Sequence, residues 1–260
     1  MNTPDIPQWS GVAASAALIA IAVAVTARAG LGLAAEISLA SVRAVAQLVA
    51  VAAVLAFLFT RGGLTGALGW ATVMVLIAGQ VAARRGRGLP RARTVGTLAV
   101  GLGAAVPLTT LVALGVIPTR PHVLIPVAGM IVAGAMQAAA LTLVRVRDEV
   151  AAARPAIEAR LCLGLPAVAA FAPHSRTALR TALQPAIDAT KVVGLISLPG
   201  AMTGLILAGV EPLVAIRYQI VVMYMQLGAA AIAALTTARL ATSTLFDEAH
   251  RLRPLGDPRP

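Results

Sequence analysis

Residues 192–210, VVGLISLPGAMTGLILAGV, decide how this chain is interpreted, because the segment is apolar yet contains a helix break. Pro199 has no backbone N–H to donate, and the glycine that follows it weakens a helix further. Hydrocarbon offers no replacement partner for a freed backbone group, so such a break needs buried protein or a wet cavity around it. The segment therefore indicates a hinge or pathway element, or else a kink that only fits helices together. The candidate hinge or pathway residues are Pro199, Gly200, Met202, Thr203 and Gly204.

The composition predicts an all-α polytopic membrane protein. Hydrophobic residues make up 59% of the 260 residues and charged residues only 12%, whereas soluble domains carry roughly a quarter charged residues. The mean hydropathy is +0.88. We therefore expect residues 1–260 to form a single transmembrane domain embedded in the lipid bilayer.

Apolar runs of about 18 residues or more mark the expected spanning helices. Their number is about seven, and their spacing leaves one long connection, residues 145–190. The predicted spans are about 10–27, 37–59, 64–83, 95–116, 122–144, 191–210 and 214–238.

The distribution of arginine and lysine predicts the orientation, since these residues accumulate on the cytoplasmic side. Between the predicted spans, one side carries only Arg61, Arg120 and Arg217. We therefore expect the N-terminus outside and the C-terminus inside, and the net charge of +11 needs no nucleic acid to explain it. The basic side carries Arg28, Arg84, Arg85, Arg87, Arg91, Arg93, Arg145, Arg147, Arg154, Arg160, Arg176, Arg180, Lys191, Arg239, Arg251, Arg253 and Arg259.

The long cytoplasmic connection is predicted to be helical, in pieces separated by prolines. Ile157, Leu161 and Leu165 share an apolar face, with charged residues beside them. Such a helix suits the membrane surface, or a groove on a soluble partner. The sequence leaves both alternatives open.

Polar side chains within the predicted spans are further candidates for a pathway. Arg43 and Gln47 share one face of the second span, and Gln137 and Gln219 lie in later ones. An intramembrane arginine is costly unless it faces a cavity or a partner, although Arg43 could instead extend to the interface. The glutamines suit interhelical hydrogen bonds as well as substrate contacts. No His, Cys, Asp or Glu cluster has metal-ligand spacing, so no metal ligand is assigned.

A series of motifs resembles the FetB/YbbM family of ABC-transporter permeases, which is associated with iron export in bacteria and related to a plant aluminium-tolerance permease. Arg43 and Gln47-Leu48 resemble the N-terminal signature of that family. Ala135, Ala201 and Leu205 depart from the family pattern, which commonly has polar or soft-donor side chains there. The other matching segments are residues 126–131, 160–164, 178–180, 185–188, 191–204, 206–209, 212–213 and 215–220.

The resemblance implies the permease subunit of an ABC transporter in the plasma membrane, exporting iron or another metal. The chain has no Gly-x-x-x-x-Gly-Lys-Ser/Thr loop, so ATP would be bound by a separate ATPase subunit and no cofactor is expected in this chain. A second copy of the chain is the expected partner within the membrane. Glu158 and Gly164 have the initial spacing of an ATPase-coupling loop, and Arg176 and Arg180 follow as further coupling candidates.

Three other functions remain open from the sequence. An ATP-independent channel or facilitator would not need the long helical connection, and an ABC permease for a non-metal solute would keep it. A non-transporting membrane scaffold would tolerate alanine at Pro199 and Gly200. An enzyme is not expected, because no acid lies in a predicted span and the one histidine there, His122 at the first residue of 122–144, is at an interface, so nothing at membrane depth would activate Ser197 or Thr203.

Overall fold

The computed structural model describes residues 9–256, and every regular element in that range is helical. Five stretches are long and apolar enough to cross a membrane, which confirms the expected helical membrane architecture. They are Ser10–Arg28, Ala34–Arg85, Ala92–Ala113, Pro121–Cys162 and Pro212–Leu245. The helices are α1 (Trp9–Arg28), α2 (Ala34–Phe57), a π-helical turn (Leu58–Gly62), α3 (Gly63–Arg85), α4 (Ala92–Ala113), α5 (Pro121–Cys162), α6 (Ala167–Val192), α7 (Gly200–Leu207) and α8 (Pro212–Leu245).

The chain divides into two compact units, Met1–Gly63 and Leu64–Pro260. In the first unit, α1 and α2 pack against each other as a helical hairpin. Gly30 ends α1 with φ +65°, a left-handed conformation that glycine adopts without strain. No described residue of α2 is buried, so its apolar side chains form a surface suited to lipid.

The stretch Ala34–Arg85 contains 52 residues, which at 1.5 Å per residue would make a straight helix of about 78 Å. A bilayer core is only about 30 Å thick, so one crossing cannot hold it. The π-helical turn interrupts it, and Gly63 has φ +52° and ψ −158°, outside the helical region. This break falls between the expected spans 37–59 and 64–83.

Small residues bring the helices of the second unit close together. α8 packs against α4, α5, α6 and α7. A Cβ atom added to Gly103 of α4 would lie 2.7 Å from the Cβ of Ala233 in α8 and 3.1 Å from that of Ala135 in α5. Three helices therefore meet at a point where only a hydrogen fits, which is the usual way helices associate in lipid.

One end of this unit is formed by residues 84–93, 145–176 and 239–256, and we call it the basic end. A second apolar core lies there. Val146, Val150 and Ile157 of α5 are fully buried there with Phe171 of α6 and Leu245 of α8. Hydrogen bonds tie the C-terminal tail to this end, from Gly256 N to Gly88 O (2.9 Å) and from Arg154 Nη2 to Leu252 O (3.3 Å). The arginine-rich segments thus meet at one end, as the charge distribution predicts.

Part of the apolar face expected on the connection is used inside the molecule. Ile157 is fully buried and Leu161 packs against the same core, whereas Leu165 is 39% exposed. The first half of the connection is therefore a continuation of α5 that packs on its own chain. Neither a membrane surface nor a partner is needed to cover Ile157.

The boundaries of the expected span 191–210 are wrong. α6 ends at Val192, the chain from 193 to 199 is not helical, and α7 has only eight residues. The second half of α6 lies beside the part of α5 expected to span the membrane, because residues 182–193 and 130–141 line one cavity. Leu179, Leu183 and Ala186 also pack against the apolar core of the bundle. The stretch to 190 is therefore not an entirely cytoplasmic connection, since its second half returns along the bundle.

Candidate functional site

A cavity of about 450 Å³ lies between α5, α6, α8 and the segment 193–199. Its polar groups are the amides of Gln137, Gln219 and Gln226 and the hydroxyls of Thr190 and Ser197. The remaining lining is apolar, and among the residues that line it none is charged. The apolar contributors include Met130, Leu141, Pro185, Pro199, Met223 and Leu227.

Gln219 is the most unusual group of this cavity. It lies about two turns into α8 and is only 5% exposed. Its Oε1 atom is buried without a hydrogen-bond partner among the described residues. An unsatisfied buried acceptor costs about 1–3 kcal/mol, so it calls for a donor that the described part of the chain does not provide.

The helix break forms one wall of the cavity. Gly194, with φ +81°, donates its N–H to Ser197 O at 3.0 Å, and this closes the turn after α6. At the start of α7, the hydroxyl of Thr203 donates to Pro199 O at 3.2 Å, and the backbone N–H of Thr203 donates to the same oxygen at 3.0 Å. Ser197 and Pro199 both line the cavity. Several backbone groups of the break thus find partners within the segment itself.

The candidate break residues do not all lie in the cavity wall. Pro199 lines it, whereas Gly200, Met202, Thr203 and Gly204 belong to α7 and do not. A Cβ atom added to Gly200 or Gly204 would meet nothing within 4 Å. Neither glycine is therefore needed for close packing in this conformation.

The candidate polar residues of the spans separate in the structure. Gln137 and Gln219 meet in the cavity, and Gln226 joins them. Arg43 and Gln47 are exposed on α2, in the first unit. The structure therefore brings two of the four predicted residues into one site.

Two charged residues of α6 were missed by the sequence analysis. Asp188 and Lys191 form an ion pair of 3.2 Å, and Gln184 donates its amide N–H to Asp188 at 2.9 Å. Both charges lie level with the cavity. Asp188 lies outside every predicted span and Lys191 is only the first residue of 191–210, but their spacing with Gln184 along one helix face indicates a polar surface.

The coupling candidates lie at or near the basic end, in different places. Glu158 and Gly164 line a groove of about 660 Å³ together with residues 249–252 of the C-terminal tail. Arg176 lines a separate groove of about 380 Å³ with Arg239 of α8. Arg180 is exposed on α6. The tail's contribution to the first groove was not predicted.

The methionine sulfurs are soft donors, and only some of them lie at the cavity. Met130 and Met223 line the cavity, Met225 lies in the apolar core, and Met202 is in α7. Within residues 9–256, no group of three or more His, Cys, Asp or Glu residues could hold a metal ion. The cavity thus offers amide, hydroxyl and thioether groups.

The fold and the cavity together define an integral membrane protein of several spanning helices with a polar-lined site between them. Residues 9–246 match UPF0014, described as an uncharacterised protein family, and the chain belongs to this family. It is 40% identical to UPF0014 membrane protein STAR2 of Oryza sativa subsp. japonica, over 92% of this chain and 84% of that protein.

Two further relatives support the same family. Protein ALUMINUM SENSITIVE 3 of Arabidopsis thaliana is 38% identical over 81% of this chain and 77% of that protein. Probable iron export permease protein FetB of Escherichia coli (strain K12) is 34% identical over 81% of each chain. The resemblance seen in the sequence motifs is thereby confirmed. No solved structure gives a significant match.

Proposed function

We propose that this protein is the membrane-spanning permease subunit of an ABC transporter in the plasma membrane. The observation that carries the proposal is the cavity beside the helix break, where Gln219 presents an unpaired buried acceptor. A scaffold has no use for an unsatisfied polar group at membrane depth, whereas a substrate site gains affinity from it. The relationship to a protein named an iron export permease supports a transport role.

The groove at the basic end is the proposed docking site for a separate ATPase subunit. Glu158 and Gly164 lie on its rim, and α5 runs from there into the bundle as one helix of 42 residues. A push on this end would therefore move α5 as a rigid body and change the cavity it lines. This arrangement favours an ATP-driven permease over an ATP-independent channel. A second copy would complete the assembly.

Iron, or another metal, is the first candidate for the cargo, on the strength of the FetB relative. A non-metal solute is the second candidate, and the cavity chemistry favours it. Amides, hydroxyls and thioethers line the site, and no anionic side chain is among the lining residues. A dehydrated divalent ion would lose its hydration there without gaining a charged ligand.

Reconstitution with the ATPase encoded nearest to this permease tests the proposal. We expect the ATPase to copurify with the permease, and its turnover in proteoliposomes to rise with the true cargo. Ferrous iron, ferric chelates and uncharged polar solutes should be compared on the same vesicles. A permease that retains no ATPase would contradict the ABC assignment. If no iron species changes the rate of ATP turnover, iron is excluded as the cargo but the ABC assignment stands.

A further inference from the structure

α6 has two faces of different chemistry. One face packs into the bundle through Leu179, Leu183 and Ala186. The opposite face is exposed and mostly polar, and Ile187, which is 38% exposed, is the large apolar residue on it. This face carries Arg176, Arg180, Gln184, Asp188 and Lys191, spaced by three or four residues.

The depth of this polar face follows from the contacts of α6 with α5. His174 Nδ1 lies 3.0 Å from Glu149 Oε2, which sets the register of the two antiparallel helices. Further along, residues 182–193 of α6 face residues 130–141 of α5 across the cavity. These α5 residues lie inside the expected span 122–144, and that expectation puts Gln184, Asp188 and Lys191 at membrane depth.

Lipid cannot cover this face. An ionised side chain in hydrocarbon is costly, and such residues face a bundle interior or a water-filled space. α6 already buries its apolar face in the bundle, so the charged face is turned away from it. We propose that the polar face of α6 is the wall of a water-filled pathway through the membrane.

The charges on this wall indicate which solutes it favours. Lys191 is paired with Asp188, whereas Arg176 and Arg180 make no ion pair with any described residue. The wall is therefore cationic, and it attracts an anionic solute or an anionic metal chelate and repels a bare cation. The preference for an anionic cargo rests on the proposed transport function. The access of water to the wall does not rest on it.

The pathway needs a second wall, and we assign that wall to the second copy proposed above. A two-fold axis along the membrane normal brings the same residues of both copies opposite each other. Arg180 would then face Arg180 of the other copy, and like charges in a dry contact are destabilising. A hydrated gap between the two α6 helices avoids that cost.

Thiol labelling of the full chain in proteoliposomes tests the pathway. Cys162 is exposed and is first replaced by alanine. Gln184→Cys and Lys191→Cys are then compared with Leu102→Cys, an α4 position that is 47% exposed but apolar. We expect membrane-impermeant methanethiosulfonates, supplied on both sides, to label the two α6 positions at least tenfold faster. Equal or slower labelling of both would overturn the pathway.

The charge of the wall is tested with an anionic and a cationic reagent of the same class. Relative to a free thiol in solution, Thr181→Cys should prefer the anionic reagent by about three- to tenfold, since exposed Thr181 is next to Arg180 and about two helical turns from Asp188. Adding Arg180→Gln should remove most of this preference. Fast labelling without any anionic preference would refute the cationic wall. Neither assay uses ATPase or cargo, so their failure is distinguishable from failure of the permease assignment.

Discussion

At the scale of single residues, Gln219 combines a structural cost with a proposed role. Its Oε1 atom is buried without a partner among the described residues, in a cavity large enough for a small solute. Gln219→Met keeps the side-chain length and removes the unpaired acceptor. We expect this variant to be more stable by about 1 kcal/mol, a rise in Tm of about 2–4 °C in detergent, and to lose cargo-stimulated ATP turnover.

The control for this prediction is Gln226→Met, which changes an exposed amide of the same cavity. That change should leave the Tm nearly unaltered, since the side chain is already solvated. A lower Tm for Gln219→Met would mean that the amide stabilises the fold through its other atoms, and the unpaired acceptor would then carry no functional argument.

Alanine should have opposite effects at two glycines of neighbouring helices, Gly79 of α3 and Gly101 of α4. A Cβ atom on Gly79 of α3 would lie 2.5 Å from the Cα of Thr97 in α4, so the helices would have to separate. On Gly101 of α4 the nearest atom would be Val75 Cγ1 at 3.6 Å, an ordinary contact. We expect Gly79→Ala to cost about 1–3 kcal/mol and Gly101→Ala to be neutral or stabilising. Thermal unfolding of both variants measures this, and equal Tm values would contradict the close α3–α4 contact.

At the scale of elements, the segment 193–199 separates α6 from α7 beside the cavity. Gly200 meets no neighbour that a methyl group would touch, so alanine there should fold normally. Pro199→Ala with Gly200→Ala favours a longer helix and removes the freedom of the break. We expect near-normal yield and Tm but at least a tenfold loss of coupled ATP turnover. Unchanged turnover would indicate a rigid kink, and Gly228→Ala in α8, where an added Cβ atom also meets nothing within 4 Å, is the matched control.

The sequence predicted some of these elements well and others poorly, for physical reasons. Long apolar helices such as α4 follow from hydropathy alone, and the break at Pro199 follows from backbone chemistry. α6 could not be assigned to the bundle in this way, because Asp188 and Lys191 lower its hydropathy. Its apolar face is visible only in the helical spacing of Leu179, Leu183 and Ala186. Which glutamines share a cavity depends on helix register, and no local pattern encodes that.

At the scale of the whole molecule, the C-terminal tail closes the basic end through Asp247. The Asp247 carboxylate accepts the backbone N–H of Arg251 at 2.8 Å and contacts its guanidinium at 2.8 Å. These donors hold the pKa of Asp247 below its usual value of 3.8. The tail is therefore stabilised above about pH 4, and this contribution is lost as the pH falls through the lowered pKa.

Asp247→Asn tests this account of the tail, because the amide cannot accept the same charge-assisted bonds. We expect faster tryptic cleavage after Arg251 in the variant at neutral pH. Asp148→Asn is the control, since that carboxylate pairs with Arg147 on α5, away from the tail. Identical cleavage rates for Asp247→Asn and the unaltered protein would show that the tail is held by other contacts.

The proposed ATPase docking site is a groove built from distant parts of the chain. It is formed by α5, the 163–166 turn and the C-terminal tail. Glu158 and Arg251 lie on its two sides, and both are exposed. Glu158→Lys with Arg251→Glu reverses both charges and keeps the net charge constant. We expect at least a tenfold drop in copurified ATPase, because a docking surface depends on the arrangement of its charges. Arg217→Glu, at the start of α8, is exposed outside this groove and should leave binding intact. Equal ATPase recovery from the double variant would place the docking surface elsewhere. The groove lined by Arg176 and Arg239 would then be the next candidate, because it is the other arginine-lined groove at the basic end.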